Sequence, residues 1–329
     1  MLEIKNLHVR FHDADHEAVR GIDLTVADGE IMGLVGESGS GKTVTAMVVS
    51  GLMPRRKADV SGQVLLDGKD LLALDAAQMR RRQGCAISVV FQEPMSAMNP
   101  VMRIGPQVEE ALRVHTKLSP QERRERALQA LRDVDLPDAE AVYDKYPHQM
   151  SGGMLQRAMI AAAIISRPKL LLADEPTTAL DVTIQAQILR LIGDLRKKLG
   201  TAIILITHDL GIVAQTAENV LVMYGGQAVE YSDVKSIYKQ PLHPYTVGLL
   251  KSIPKLHDQQ KRLYNIKGSI PSPKEFPEGC RFSPRCEECM EICRTKKPEL
   301  VSLPDGRRVR CWKYALNQEK ATEKEAAEE

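Results

Sequence analysis

The sequence predicts an α/β protein whose parallel sheet carries a phosphate-binding loop, joined to an antiparallel β subdomain, a helical insert and a small C-terminal appendage. Three observations predict it. The stretch Gly36-Glu37-Ser38-Gly39-Ser40-Gly41-Lys42-Thr43 reads G-x-x-x-x-G-K-[ST], the pattern of a P-loop. Leu170 to Ala173 is a continuous apolar run that ends at Asp174-Glu175, as in a strand covered on both faces. That run, a helix over Thr183 to Leu199 and a second apolar run over Ala202 to Ile206 form a strand–helix–strand unit of a parallel sheet.

The remaining elements follow in chain order. Leu2 to Phe11 and Gly21 to Val26 read as strands around a polar turn at Asp13-Ala14-Asp15. The Asp28-Gly29 turn leads into a short apolar strand, Ile31 to Val35, and Lys42 to Leu52 reads as a helix that stops before Pro54. Val64 to Leu66 with Asp67-Gly68 has the form of a hairpin strand and its turn. Arg80-Arg81-Arg82 reads as a solvated helix end, and Ile87 to Phe91 as a further strand. Ser119-Pro120-Gln121-Glu122 is a capping box with proline at the first helical position, which starts a charged helix to about Val134. Gly152 to Ser166 is apolar almost all round, so this helix is expected to be buried. In the helix over Thr183 to Leu199, Ile184, Ile188, Leu191, Leu195 and Leu199 share one stripe and Gly200 ends it. Residues 1–92 and 167–235 are therefore expected to form the core, and residues 93–166 a helical insert. Beyond about Asp233 prolines recur and cysteines cluster, so residues 236–319 read as a separate, loop-rich extension. Residues 320–329 are charged and of low complexity, which predicts disorder.

Composition removes several function classes. The 329 residues carry a net charge of +2 and only 4% aromatics, which argues against nucleic acid as a partner. The first residues, Met1 to Arg10, lack the apolar core of a signal peptide. The longest apolar stretch, Ala158 to Ile165, is far short of a membrane span. The expected location is therefore cytosolic or peripheral to a membrane, not integral.

The loop's chemistry follows from its residue types. Gly36, Gly39 and Gly41 let the backbone wrap a phosphate, with Ser38 in the same cradle, so that N–H groups and a helix N-terminus face the anion. Lys42 can reach the β- and γ-phosphates, and the Thr43 hydroxyl can ligate Mg²⁺. Asp174, at the end of its strand, can hold Mg²⁺, and Glu175 beside it can polarise an attacking water.

With these residues in place, the chain resembles the ATPase subunit of an ABC transporter over residues 1 to about 235. Ser151-Gly152-Gly153 resembles that family's signature motif and Ala179-Leu180-Asp181 its D-loop. Gln92 stands where the Q-loop glutamine belongs, and His208 where the switch histidine belongs. The resemblance implies that two ATPase subunits sandwich two ATP molecules head to tail, with Ser151 and Gly153 of one facing the γ-phosphate held by the other. It implies Glu175 as general base, His208 on the γ-phosphate, and Gln92 on Mg²⁺ or the attacking water. Phe11 is a candidate for stacking on adenine, with His12 competing for that role. The usual leucine and glutamine around Ser-Gly-Gly are Met150 and Met154 here, and Ser-Gly-Gly-Met resembles the peptide-importer branch. Phe91 to Met95, Tyr146-Pro147-His148 and His243-Pro244-Tyr245 resemble the same branch, up to about Lys313. The implied function is ATP-driven uptake of di- or oligopeptides. The implied partners are a second, related ATPase chain, two separate membrane permeases and an extracellular peptide-binding protein. A soluble ABC ATPase of DNA repair or translation is the alternative from another class. Nickel, glutathione and oligosaccharide importers share the architecture.

Of six cysteines, five lie between Cys280 and Cys311, which argues for metal rather than disulfides. Cys280, Cys286, Cys289, Cys293 and Cys311 offer five thiols, and four thiolates suit tetrahedral zinc or an iron–sulfur cluster. The resemblance picks out Cys280, Cys286, Cys293 and Cys311 and implies a [4Fe–4S] cluster. Helical spacing leaves Cys289 open as a ligand. The appendage holds too little apolar sequence for a core of its own, so a metal staple is the expected source of its stability.

Overall fold

The computed structural model describes residues 1–54, 56–178, 180–253 and 264–316. The charged tail from 320 on, expected to be disordered, lies outside the described residues, as does Ala179. The chain opens with β1 (Leu2–Phe11), β2 (Glu17–Val26), β3 (Ile31–Val35), α1 (Lys42–Val49), β4 (Ala58–Leu66), β5 (Lys69–Asp70), α2 (Ala76–Arg80) and β6 (Ile87–Val90). The helical stretch holds α3 (Pro94–Ala97), α4 (Ile104–Val108), α5 (Glu110–His115), α6 (Pro120–Asp133), α7 (Ala139–Asp144) and α8 (Gly152–Ile164). Then come β7 (Leu170–Asp174), α9 (Val182–Leu199), β8 (Ala202–Thr207), α10 (Leu210–Thr216), β9 (Asn219–Tyr224), β10 (Gln227–Asp233), α11 (Val234–Lys239) and α12 (Pro244–Lys251). The chain closes with α13 (Glu291–Thr295), β11 (Val301–Ser302) and β12 (Arg308–Val309).

Two sheets result. An antiparallel sheet runs β2-β1-β4-β5, and an eight-stranded mixed sheet runs β11-β12-β10-β9-β3-β8-β7-β6. The strands from β9 to β6 are parallel, as the two apolar runs predict. Their uniform apolarity has a simple cause. Leu170 and Leu172, with Ala202, Ile204 and Ile206, pack into the core under the antiparallel sheet and α1. Leu171 and Ala173, with Ile203 and Leu205, pack into the core under α4, α6, α8 and α9. Successive side chains point to opposite faces, and both faces are covered. The helix ends also follow the sequence. Ser119 Oγ accepts the Glu122 N–H at 3.3 Å while the Glu122 carboxylate accepts the Ser119 N–H at 2.7 Å, and Gly200 closes α9 at φ 68°.

The structure differs from the sequence reading in the last third. β9 and β10 were not among the expected elements, although Val220 to Tyr224 is an apolar run followed by Gly225-Gly226. Both glycines take positive φ, 54° and 81°, the geometry of a tight two-residue hairpin. The C-terminal extension is also not separate. β12 pairs with β10 through Glu230 and Tyr231. Tyr245 and Phe282 share one core with Val35, Val222 and Tyr224. The buried Glu230 carboxylate accepts the Leu242 and His243 backbone N–H groups at 2.8 Å each. The extension therefore draws its apolar core from the main sheet. The metal staple expected in its place is not seen: among the described residues no group of three or more His, Cys, Asp or Glu side chains is arranged to hold a metal ion.

Leu172, fully buried between the two sheets, should lose about 2–5 kcal/mol of stability on replacement by alanine. Val101, 81% exposed, should lose under about 0.5 kcal/mol. Urea-unfolding midpoints of the two variants check the pair.

Candidate nucleotide site

The parallel strands bring their carboxyl ends to one edge of the sheet. Register pairs Val35 with Thr207 and Asp174 with Ile206, so Gly36, Glu175 and His208 all leave the sheet at the same level. Crevices at such strand ends are where open α/β sheets bind ligands. A cleft of about 500 Å³ opens there, lined by Ser38 to Val44 together with Ala18, Gln92, Glu175 and His208.

The loop is held tightly on all sides. Gly39 and Gly41 take φ of 78° and 100°, open to glycine at little cost. A Cβ on Gly36 would come within 2.2 Å of the Met223 carbonyl oxygen. Gly41 caps α1, so the helix's first N–H groups open toward the cleft. The buried Lys42 ammonium donates to the Gly36 and Glu37 carbonyls at 2.7 and 3.0 Å. Burial lowers its pKa, against the raising charges of Glu175, Asp174 and Glu37.

The two acids after β7 sit differently. Burial pushes the Asp174 carboxyl up, and the neighbouring Glu175 charge adds to this against a hydrogen bond from Thr43 and the Lys42 charge. Thr43 Oγ1 lies 3.5 Å from Asp174 Oδ1. A hydroxyl beside a half-buried carboxylate suits a hard cation that takes one or two protein oxygens and fills its shell with phosphate and water. Glu175 is the hub. Its carboxylate accepts from Gln92 Nε2 at 3.0 Å and Thr178 Oγ1 at 2.9 Å, and lies 3.1 Å from His208 Nδ1. Burial raises its pKa, but the His208 and Thr178 hydrogen bonds, with the His208 and Lys42 charges, outweigh this and leave it below the ordinary value. Its backbone is in the left-handed region at φ 45°, a conformation that costs a non-glycine residue about 1–3 kcal/mol and clusters at functional sites. Thr178 carries no site role in the sequence reading. Its only signal there is its position three residues after the glutamate.

The signature residues lie elsewhere. Ser151 caps α8, its Oγ accepting the Met154 N–H at 3.3 Å. It lines a second cleft with Gly152, Gly153, Leu180 and Asp181, and Asp181 caps α9 through the Ile184 N–H at 2.9 Å. This cleft shares no lining residue with the P-loop cleft. Phe11 is half-buried at the end of β1, packs against the core under the antiparallel sheet and does not line the P-loop cleft. His12 faces Asp59 and the Arg56 carbonyl at 3.1 and 3.2 Å. The structure thus joins Ser38, Gly39, Gly41, Lys42, Thr43, Gln92, Glu175 and His208 in one cleft, and leaves Phe11 outside it.

In the extension, Cys280, Cys286, Cys293 and Cys311 line one small pocket, and Cys289 does not. Burial pushes the Cys280 and Cys286 thiols up to about 12 and about 11, and the neighbouring cysteines add to the shift.

Comparison with known proteins matches this geometry to a family. An ABC transporter model matches residues 19–178, and a model of the oligopeptide/dipeptide transporter C-terminal region matches residues 229–293. The chain is 46% identical to the oligopeptide transport ATP-binding protein AppD of Bacillus subtilis (strain 168), over 95% of this chain and 97% of that protein. The chain belongs to the ABC transporter ATP-binding proteins, in the oligopeptide/dipeptide branch. It is also 44% identical to the dipeptide transport ATP-binding protein DppD of Haemophilus influenzae (strain ATCC 51907 / DSM 11121 / KW20 / Rd), covering 94% of each chain. Among solved structures it resembles the ATP-binding cassette MJ0796 in a dimeric post-hydrolysis state bound to ADP and phosphate. That likeness has a TM-score of 0.64 at 27% identity, covering 71% of this chain and 99% of the other. As an ABC ATP-binding protein the chain is an ATPase, with ATP and Mg²⁺ as its nucleotide and metal.

The hydrogen bonds on Glu175 set a pH expectation. Its lowered pKa keeps the carboxylate ionised at neutral pH, and activity should fall only as pH drops through that depressed value. Replacing His208 by alanine removes a lowering interaction from the carboxylate, so the acid limb of the residual kcat profile should move to higher pH. A pH–rate profile of the two proteins checks the direction.

Proposed function

We propose that the chain drives uptake of di- or oligopeptides, coupling its ATP cycle to separate permease subunits at the cytoplasmic face of the membrane. The observation that carries the coupling is the Gln92–Glu175 hydrogen bond of 3.0 Å. Gln92 begins the connection into the helical insert, so the group beside the reacting phosphate is tied to the insert's first residues. Phe91 and Met95 flank it, 45% and 57% exposed, and in this reading they meet a permease segment. Among the described residues no helix is long and apolar enough to cross a membrane, so the translocation path belongs to other chains. The relatives' names supply the peptide cargo.

In this reading each residue has a stated task. Backbone N–H groups of the P-loop and the Lys42 ammonium hold the β- and γ-phosphates. Thr43, Asp174 and Gln92 would hold Mg²⁺, which would neutralise charge on the transferring phosphoryl group. Glu175 accepts the proton of the attacking water, or orients it, and His208 contacts the γ-phosphate. Ser151, Gly153 and Asp181 line a cleft that shares no residue with the P-loop cleft, and in this reading they would serve the nucleotide held by a second ATPase subunit. A related but distinct chain is the proposed partner, with an extracellular peptide-binding protein delivering cargo to the permeases.

We further propose that Cys280, Cys286, Cys293 and Cys311 hold a [4Fe–4S] cluster, with zinc as the alternative. The four cysteines line one pocket, without Cys289, which supports the assignment; because no three of them are placed to hold a metal ion in this structure, their side chains would have to close around the group. The cluster's part would be to hold the loops of the extension together.

Two experiments test these readings. In vesicles containing the chain with its permeases and partner ATPase, ATP should drive accumulation of labelled oligopeptide. The Glu175→Gln variant should bind ATP while losing about 10²–10⁴-fold in turnover. Wild-type-like turnover would remove Glu175 as the base, and absence of peptide uptake would sink the import reading. Protein purified without oxygen should contain about four iron and four sulfide per chain. Stoichiometric zinc without iron would replace the cluster by a structural zinc site.

A further inference from the structure

The P-loop is gripped by the C-terminal extension through one ion pair. Arg285 Nη1 and Nη2 donate to Glu37 Oε2 and Oε1 at 2.6 and 3.0 Å, the parallel two-bond geometry of a strong charge-assisted pair. The arginine side chain is 5% exposed and the glutamate 31%. Glu37 is the second residue of the P-loop, 248 positions from its partner. Its backbone is held as well: its N–H donates to the Tyr245 hydroxyl at 2.9 Å, and its carbonyl accepts from Lys42 Nζ at 3.0 Å. Two of Glu37's partners thus come from the extension, and the others are the phosphate-binding lysine and, within the loop, the Ser40 N–H at 3.2 Å.

Arg285 is in turn fixed from behind. Its Nε donates to the Lys267 carbonyl at 3.1 Å, and its own N–H to the Phe282 carbonyl at 3.0 Å. Phe282 packs against Tyr224 and Tyr245, ring centres 5.2 and 5.4 Å away. Arg281, four residues earlier, bonds the Gly225 carbonyl. The next residue, Gly226, donates its N–H to the Ser40 carbonyl at 3.0 Å. The short loop between Cys280 and Cys286 therefore holds the P-loop at both Glu37 and Ser40. A planar guanidinium is suited to such a task because its fork fixes direction as well as charge.

We propose that Arg285 is a positioning residue for nucleotide binding. Through Glu37 it sets the P-loop backbone, and with it the Lys42 ammonium, in the arrangement that receives the phosphates of ATP. The proposal rests on the ATP site described above, and wild-type ATP binding tests that site separately. It predicts an effect with a counterintuitive sign. Glu37 is an anion beside a polyanion site, so plain electrostatics would have its neutralisation tighten ATP binding. Positioning requires the opposite.

The test is a double-mutant cycle on the full chain with Glu37→Gln, Arg285→Met and both together. Affinity is read from a fluorescent ATP analogue displaced by ATP, with thermal unfolding and steady-state kinetics alongside. Glu37→Gln, nearly isosteric, should weaken ATP binding about tenfold or more and raise KM, with kcat within about threefold of wild type. Arg285→Met should do the same, and the double variant should be no weaker than the weaker single. Arg285→Lys, which keeps the charge but not the fork, should recover part of the affinity. Tighter or unchanged ATP binding by Glu37→Gln would overturn the proposal, as would additive losses in the double variant. Should Arg285→Met fail to fold, Glu37→Gln alone decides it. Loss of ATP binding in the wild-type chain would instead overturn the ATP site.

Discussion

A phosphate loop must turn its N–H groups toward a ligand, so it cannot spend them on its own regular hydrogen bonding. It has to be held from outside. Most of the architecture around residues 36–43 answers that constraint. Gly36 leans on the Met223 carbonyl and Gly41 on the Ala18 carbonyl, each too close for a side chain. Gly226 bonds Ser40, Tyr245 bonds Glu37, and Arg285 grips the Glu37 carboxylate. These contacts come from β2, from the β9–β10 hairpin and from the C-terminal extension. The loop is thus the point on which three distant parts of the chain converge.

The second fixed point is Glu175. Its positive φ is unfavourable for a glutamate, and the surrounding bonds over-determine it. Its N–H is tied to the Ile206 carbonyl at 2.9 Å. Its carboxylate is shared among Gln92, Thr178 and His208. These side chains follow β6, β7 and β8, and rigid parallel strands give a reacting group better placement than mobile loops could. The same bonds that hold the carboxylate also keep it ionised, whereas adjacent Asp174 is pushed the other way by burial. Two neighbouring acids thereby acquire opposite shifts in proton affinity from different surroundings.

The C-terminal extension completes the core as well as decorating it. Tyr245 and Phe282 fill the space beside Val35 and Tyr224, and β12 covers what would otherwise be the open edge of β10. A loop-rich segment of this composition lacks the apolar content for an independent core. Packing on a finished sheet removes that requirement, and places the four-cysteine pocket a few residues from the P-loop clamp.

The sequence by itself determined the sheet core and most of the residues that meet in the cleft beside the P-loop. A motif such as G-x-x-x-x-G-K-[ST] encodes local backbone geometry, and apolar runs such as Leu170 to Ala173 report burial on both faces. Both signals lie within a few residues and survive being read in isolation. The capping boxes and the stop at Gly200 were legible for the same reason. The hairpin of β9 and β10 was legible in principle, from its apolar run and paired glycines, but the adjoining change in composition masked it. What only the tertiary structure decided were relations across long separations. Thr178 joins Glu175 through a turn, Phe11 packs half-buried against the core and does not line the cleft, and the signature cleft shares no lining residue with the P-loop cleft. The Glu37–Arg285 pair spans most of the chain. No local pattern marks such a pair, because each partner alone is an ordinary charged residue, and the fold alone brings them within hydrogen-bond reach.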